Sequence, residues 1–215
     1  MKITVVDYGL SNLLSVRLAL EHCGAETELV NTPDQVLAAR ALVLPGVGAF
    51  RDGMEGLEKL GLVEALRTAA QRGTPLLGIC LGMQMLLTES EEFGLYRGLD
   101  LIPGRVERLP DTAVDGSPER VPHIGWEALQ PAAGRTDFAG TILEKVRPGE
   151  ECYFIHSYEA KPADPAYRLA DAVYGGRPVC AAVCRGNVIG TQFHPEKSGP
   201  VGLRILQSFL TMAGN

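Results

Sequence analysis

Several common signatures are missing from this 215-residue chain, and each gap removes a class of function. The five cysteines, Cys23, Cys80, Cys152, Cys180 and Cys184, form no C-x-x-C pair. That excludes a zinc ribbon and a disulfide framework and fits a reducing compartment. Lysine and arginine never cluster, aromatics do not interleave with them, and the net charge is −6, so nucleic acid is a poor partner. Long apolar runs are absent too. The longest, Leu76 to Leu87, is too short and too broken by glycine to span a bilayer. The opening Met1-Lys2-Ile3-Thr4-Val5-Val6-Asp7 meets an acid too early for a signal peptide, so a cytoplasmic protein is expected. With 46% apolar and 21% charged residues the composition is that of a globular protein, and the length suits one domain over residues 1–215.

What is present centres on Leu76-Leu77-Gly78-Ile79-Cys80-Leu81-Gly82-Met83-Gln84. An apolar strand runs into a cysteine between two glycines and on into a helix, the pattern of a nucleophile elbow, where side chains beside the strained residue would clash with neighbouring backbone. Cys80 then sits at a helix N-terminus, whose free N–H groups favour a thiolate. A buried cysteine is otherwise a small hydrophobe, so the pattern gains force only if the chain also supplies a base, an orienting acid and a second oxyanion donor.

Taken in order, Ile3 to Val6 reads as a strand, Leu13, Val16 and Leu20 as one face of a helix closed by Gly24, and Ala25 to Val30 as a strand. Thr32-Pro33-Asp34 opens a second helix reaching about Ala39. Ala41 to Leu44 is a strand ending in the glycine-rich loop Pro45-Gly46-Val47-Gly48-Ala49-Phe50. Leu57, Leu60, Val63 and Leu66 mark a single helix up to Gly73, and the helix after Cys80 runs to roughly Ser90. Beyond it come strands: Leu101 to Leu109, His123 to Leu129, Glu151 to Ala160, Leu169 to Tyr174, Val179 to Cys184 and Val188 to Phe193. Val201 to Met212 is a final helix, and Pro110 to Glu119 and Gln130 to Gly140 are surface loops. The fold class is α/β: a mostly parallel central sheet flanked by helices, with added antiparallel strands in the C-terminal half.

The missing catalytic groups have sources. His194-Pro195-Glu196 follows a strand, and in an extended backbone residues two apart project to one side, so the Glu196 carboxylate reaches one ring nitrogen of His194 and leaves the other for the thiol. An α/β-hydrolase draws one oxyanion N–H from the residue after its nucleophile and another from the loop after an earlier strand, here Leu81 and the Gly46-Val47-Gly48 segment.

Together with Asp7-Tyr8-Gly9, Asn12-Leu13, Gly125-Trp126, His156-Ser157-Tyr158 and Gly190 to Ser198, these motifs resemble the class I glutamine amidotransferases. The nearer likeness is to the glutaminase subunits of imidazole glycerol phosphate synthases in histidine biosynthesis. Ser11 departs from the glycine often found before the asparagine. The resemblance implies a flavodoxin-like sheet, no cofactor and no metal, and a Cys80–His194–Glu196 triad acting on glutamine. It gives Gln84, Glu92, Ser157 and Tyr158 to substrate binding, and Val47, Gly48 and Leu81 to the oxyanion hole, with the Val47–Gly48 peptide reorienting before it donates. It also implies a heterodimer with a (β/α)8 barrel cyclase that takes up the ammonia, docked through Asn12, Trp126, Tyr153 and Lys197. The cyclase would turn a ribulosyl aminoimidazole carboxamide nucleotide into imidazole glycerol phosphate and an aminoimidazole carboxamide ribotide. The rival readings are a glutaminase of another synthase and a cysteine hydrolase of the peptidase or stress-protein type. The latter commonly carries histidine directly after the elbow cysteine, where this chain has Leu81.

Overall fold

A computed structural model describes residues 1–214. In chain order the first elements are β1 (Lys2–Val6), α1 (Leu13–His22), β2 (Glu26–Val30), α2 (Pro33–Leu37), β3 (Leu42–Gly46), α3 (Phe50–Lys59), α4 (Leu62–Gln71), β4 (Leu76–Cys80) and α5 (Leu81–Met85). Strands then dominate: β5 (Leu87–Ser90), β6 (Tyr96–Arg97), β7 (Ile102–Arg108), β8 (His123–Ala128), β9 (Gln130–Pro131), β10 (Glu151–His156), β11 (Tyr158–Pro162), β12 (Arg168–Tyr174), β13 (Arg177–Arg185) and β14 (Val188–Thr191). Helix α6 (Gly199–Gly214) follows.

The central sheet has eight strands in the order β2-β1-β3-β4-β14-β13-β12-β9. The first five are mutually parallel and the last three antiparallel. Parallel strands are buried on both faces, and β3 and β4 are accordingly buried at every residue. One face packs under α1 and α6, where Val16 and Leu20 meet Ile205, Leu206 and Phe209. The other packs under α2, α3 and α4 through Val36, Leu57, Leu62 and Leu66. Two smaller sheets, β10-β8 and β11-β7-β5-β6, stand beside it.

Four local features differ from the sequence reading. The helix after Cys80 stops at Met85, and Leu87–Ser90 is the strand β5, because this run is almost wholly buried and an apolar run carries no period that separates helix from strand. The helix read through Leu57, Leu60, Val63 and Leu66 is two, α3 and α4, broken at Gly61, whose φ of +68° suits glycine. Glu151 to Ala160 is likewise two strands, β10 and β11, which part at Ser157 and enter different sheets. The Gln130–Gly140 segment is less of a surface loop than its composition suggests, since it supplies the edge strand β9 and buries Phe138 in the core.

Register brings the chemistry to one level. Gly46 at the end of β3 lies opposite Cys80, and Thr191 at the end of β14 lies opposite Ile79. The residues that follow, Val47, Leu81 and Gln192 to His194, therefore emerge side by side at the carboxyl ends of three adjacent parallel strands, where open sheets of this kind bind ligands.

Candidate active site

Cys80 holds φ 54° and ψ −110°, a conformation that costs an L-residue energy and persists only where the surroundings impose it. The flanking glycines allow it. A Cβ at Gly82 would stand 1.8 Å from the Leu44 carbonyl oxygen, and one at Gly78 would meet Gly82 backbone at 2.7 Å. His194 is placed by a similarly close approach. Helix α6 packs so tightly on the turn after β14 that a Cβ at Gly202 would lie 1.8 Å from the Pro195 carbonyl oxygen. His194 itself is extended, but Pro195–Lys197 forms a 3-10 turn, so it is a turn rather than a continued strand that brings Glu196 beside the ring.

In that turn Nδ1 of His194 lies 2.8 Å from Glu196 Oε1, and both side chains are buried. Burial works against the imidazolium, but its interaction with the nearby Cys80 sulfur and its hydrogen bond to Glu196 outweigh that cost and raise the His194 pKa to about 9. The other ring nitrogen, Nε2, is buried without a partner in hydrogen-bonding geometry. The Cys80 sulfur has two polar neighbours: the thiol donates to the Ile155 carbonyl at 3.8 Å, and Gln192 Nε2 donates to the sulfur at 3.7 Å.

A cavity of about 290 Å³ opens over the sulfur. Val47, Gly48, Leu81, Gln84, Glu92, Ser157, Tyr158 and Lys197 line it along with Cys80 and His194, so most of the site residues named from sequence converge there. Leu81 heads α5, and its N–H has no carbonyl a turn earlier to bond. Val47 differs: its N–H donates to the Leu10 carbonyl at 3.0 Å and faces away from that duty, while Gly48 takes φ +99°. Gln84 spends both amide hydrogens inside the protein, on the Tyr158 carbonyl and Gln192 Oε1, each at 3.0 Å, which leaves its oxygen for the cavity. Glu92 reaches back to accept the Phe50 N–H at 2.6 Å at the start of α3, and partial burial raises its pKa against that bond.

The remaining named residues lie outside the cavity. Strands β8 and β10 alternate, sending His123, Cys152, Phe154 and His156 inward and Ile124, Trp126, Tyr153 and Ile155 outward, where Ile124 pairs with Ile155 and Trp126 with Tyr153. Trp126 is half exposed and meets Tyr153 edge-on, and the Lys197 ammonium stands over the Tyr153 ring. Asn12 is exposed, and its side chain accepts the Ser15 N–H to cap α1. Composition and spacing missed three groups here. The Ile155 carbonyl has no side-chain signature, the buried His123–His156 contact at 3.1 Å joins residues 33 apart, and Gln192 stands within a quoted motif without a role. Among the described residues no three His, Cys, Asp or Glu side chains gather as metal ligands would, and no helix is long and apolar enough to cross a membrane.

The family model "Glutamine amidotransferase class-I" matches residues 4–213. The protein called imidazole glycerol phosphate synthase subunit HisH 1 of Legionella pneumophila (strain Paris) is 49% identical over 97% of this chain and 98% of its own length. Its counterpart from Geobacter sulfurreducens, named subunit HisH, is 47% identical over 97% of each chain. Among solved structures, one described as a glutamine amidotransferase superposes with a TM-score of 0.73 at 21% identity over 99% of both chains. PurLQS from Thermotoga maritima gives 0.72 at 21% identity over 98% of both, and likenesses at such identities speak for the fold alone.

Proposed function

The chain belongs to the class I glutamine amidotransferase family and is the glutaminase subunit of an imidazole glycerol phosphate synthase, and from that premise we propose how its cavity turns glutamine into glutamate and ammonia. The observation that carries the mechanism is a strained cysteine opening on the same cavity as a histidine held by a buried carboxylate. His194 Nε2 takes the thiol proton, and Glu196 stabilises the imidazolium that forms. The sulfur attacks the side-chain amide carbon of glutamine, and the tetrahedral oxyanion is met by the Leu81 N–H and, once the peptide has turned away from Leu10, by the Val47 N–H. Loss of one such donor typically costs about 100- to 1000-fold in rate. Collapse breaks the C–N bond, His194 returns its proton to the leaving nitrogen, and ammonia departs from a glutamyl thioester. Water deprotonated by His194 then cleaves the thioester to glutamate and restores the thiol. Gln84 Oε1 and the Glu92 carboxylate accept from the amide and α-ammonium ends, and the Ser157-Tyr158 backbone meets the α-carboxylate.

Ammonia is useful to a synthase only while unprotonated and confined, so the cavity needs a cover. The cover is a (β/α)8 barrel cyclase, forming a heterodimer with this chain. The face of exposed Ile124, Trp126 and Ile155 around a half-buried Tyr153, flanked by Lys197 and Asn12, supplies an apolar centre with a polar rim, the anatomy of a docking surface. The same strand that shows Tyr153 and Ile155 outward uses its backbone inward. The Tyr153 carbonyl accepts the His194 N–H at 2.9 Å, and the Ile155 carbonyl holds the thiol. Docking on β10 therefore acts one peptide away from the nucleophile and its base.

The test is to mix the chain with the cyclase and the cyclase's nucleotide substrate and to follow glutamate release. The expected result is association and a rise in glutaminase activity over the chain alone. Neither association nor stimulation would assign the chain to another synthase.

A further inference from the structure

Gln192 is fully buried, stands next to the nucleophile and has no part in the chemistry above. Its orientation is fixed from a distance. The Tyr158 carbonyl can only accept, and it takes the Gln84 Nε2 at 3.0 Å and the His156 Nδ1 at 2.8 Å. That sets Gln84 with its amide nitrogen towards Tyr158, and the second hydrogen on the same nitrogen meets Gln192 Oε1 at 3.0 Å. With its oxygen so engaged, Gln192 can turn only its amide nitrogen to the Cys80 sulfur, 3.7 Å away. One backbone carbonyl thus dictates the rotamer of an amide two side chains off, and the parallel register of β14 on β4 brings that amide to the level of the elbow.

We propose that Gln192 is a catalytic residue whose side-chain N–H holds the Cys80 sulfur and favours its thiolate form, a proposal that rests on Cys80 being the glutaminase nucleophile. The sulfur lies between one donor and one acceptor. The neutral thiol satisfies both, donating to Ile155 and accepting from Gln192. The thiolate has nothing to give Ile155 and keeps only Gln192, whose bond strengthens because hydrogen bonds to ions are about twice as strong as neutral ones. Gln192 thereby holds charge on the sulfur before His194 and the oxyanion donors are engaged. Other titratable groups surround that sulfur: Tyr8 from the segment after β1 and His194 from the turn after β14 interact with it, Glu196 bonds the same His194, and His156 from β10, Glu92 and Lys197 line the same cavity. The experiment therefore changes Gln192 alone.

The test is the pH dependence of Cys80 alkylation by iodoacetamide, followed on the Cys80 peptide by mass spectrometry, in the parent chain and in Gln192→Met and Gln192→Glu. Methionine fills a similar volume without a donor. Glutamate keeps the acceptor for Gln84 but turns an oxygen to the sulfur, so should one variant fail to fold, the other decides. The expected result is an alkylation midpoint about one pH unit higher for methionine, or roughly tenfold slower modification at pH 7, and a larger shift for glutamate. An unchanged midpoint in a folded variant, with or without a loss of glutaminase activity, would make Gln192 a spacer for Gln84 and overturn the proposal. Alkylation needs neither glutamine nor the cyclase, so this outcome is independent of whether the complex hydrolyses glutamine.

Discussion

The floor of the cavity and its rim are built on opposite principles. At the floor, Gly46, Gly78, Cys80, Gly82 and Gln192 are packed against one another's backbone and hydrogen-bonded with little room to move. At the rim, Trp126, Ile124, Tyr153 and Ile155 leave apolar surface in water. A floor of that kind suits the proposed nucleophile, and a rim of that kind suits the proposed partner. The Val47–Gly48 peptide belongs to neither, since it is exposed, bonded to Leu10 and placed over the sulfur.

Substitutions can break this contrast. Gly82→Ala drives a methyl into the Leu44 carbonyl, so roughly 3 kcal/mol or more of stability is expected to go, read as a lowered midpoint in chemical denaturation. Trp126→Ala should do the reverse. Stability should change by less than about 0.5 kcal/mol, whereas affinity for the cyclase, measured by calorimetry, should fall by about 2 kcal/mol, near 30-fold. If Gly82→Ala were mild, or Trp126→Ala destabilised the free chain, the division would be wrong. The contrast also shows in the pH dependence of stability. The His194 pKa is raised from 6.5 to about 9 in the folded chain, so its contribution is fully present below pH 6.5 and is lost as pH rises through about 9. The thermal midpoint should decline across that window, and by less in Glu196→Gln, where the imidazolium has lost its charged partner.

How much was legible in the sequence follows the same division. The elbow, the pairing of Glu196 with His194 after a strand end and the mostly parallel sheet could be read because backbone strain and strand-end position demand particular residues there, whereas the turn that makes the pairing could not. The end of α5 and the break at Gly61 leave no mark in the sequence because buried apolar runs carry no period and Leu57, Leu60, Val63 and Leu66 keep helical spacing across the break. The polar wiring was illegible for another reason. Gln84, Gln192 and Tyr158 lie far apart in the chain, and only the register of β14 on β4 and the break at Ser157 bring them together. The Val47 N–H donating to Leu10 is a backbone event with no side-chain signature at all.

The claim on which the rest depends is that Cys80 makes ammonia for a partner. The direct measurement is imidazole glycerol phosphate formation by the complex carrying Cys80→Ala, with glutamine or with ammonium as the nitrogen source. The account predicts that glutamine-dependent synthesis falls by at least about 10⁴-fold while ammonium-dependent synthesis persists. Continued glutamine hydrolysis by that complex would contradict it.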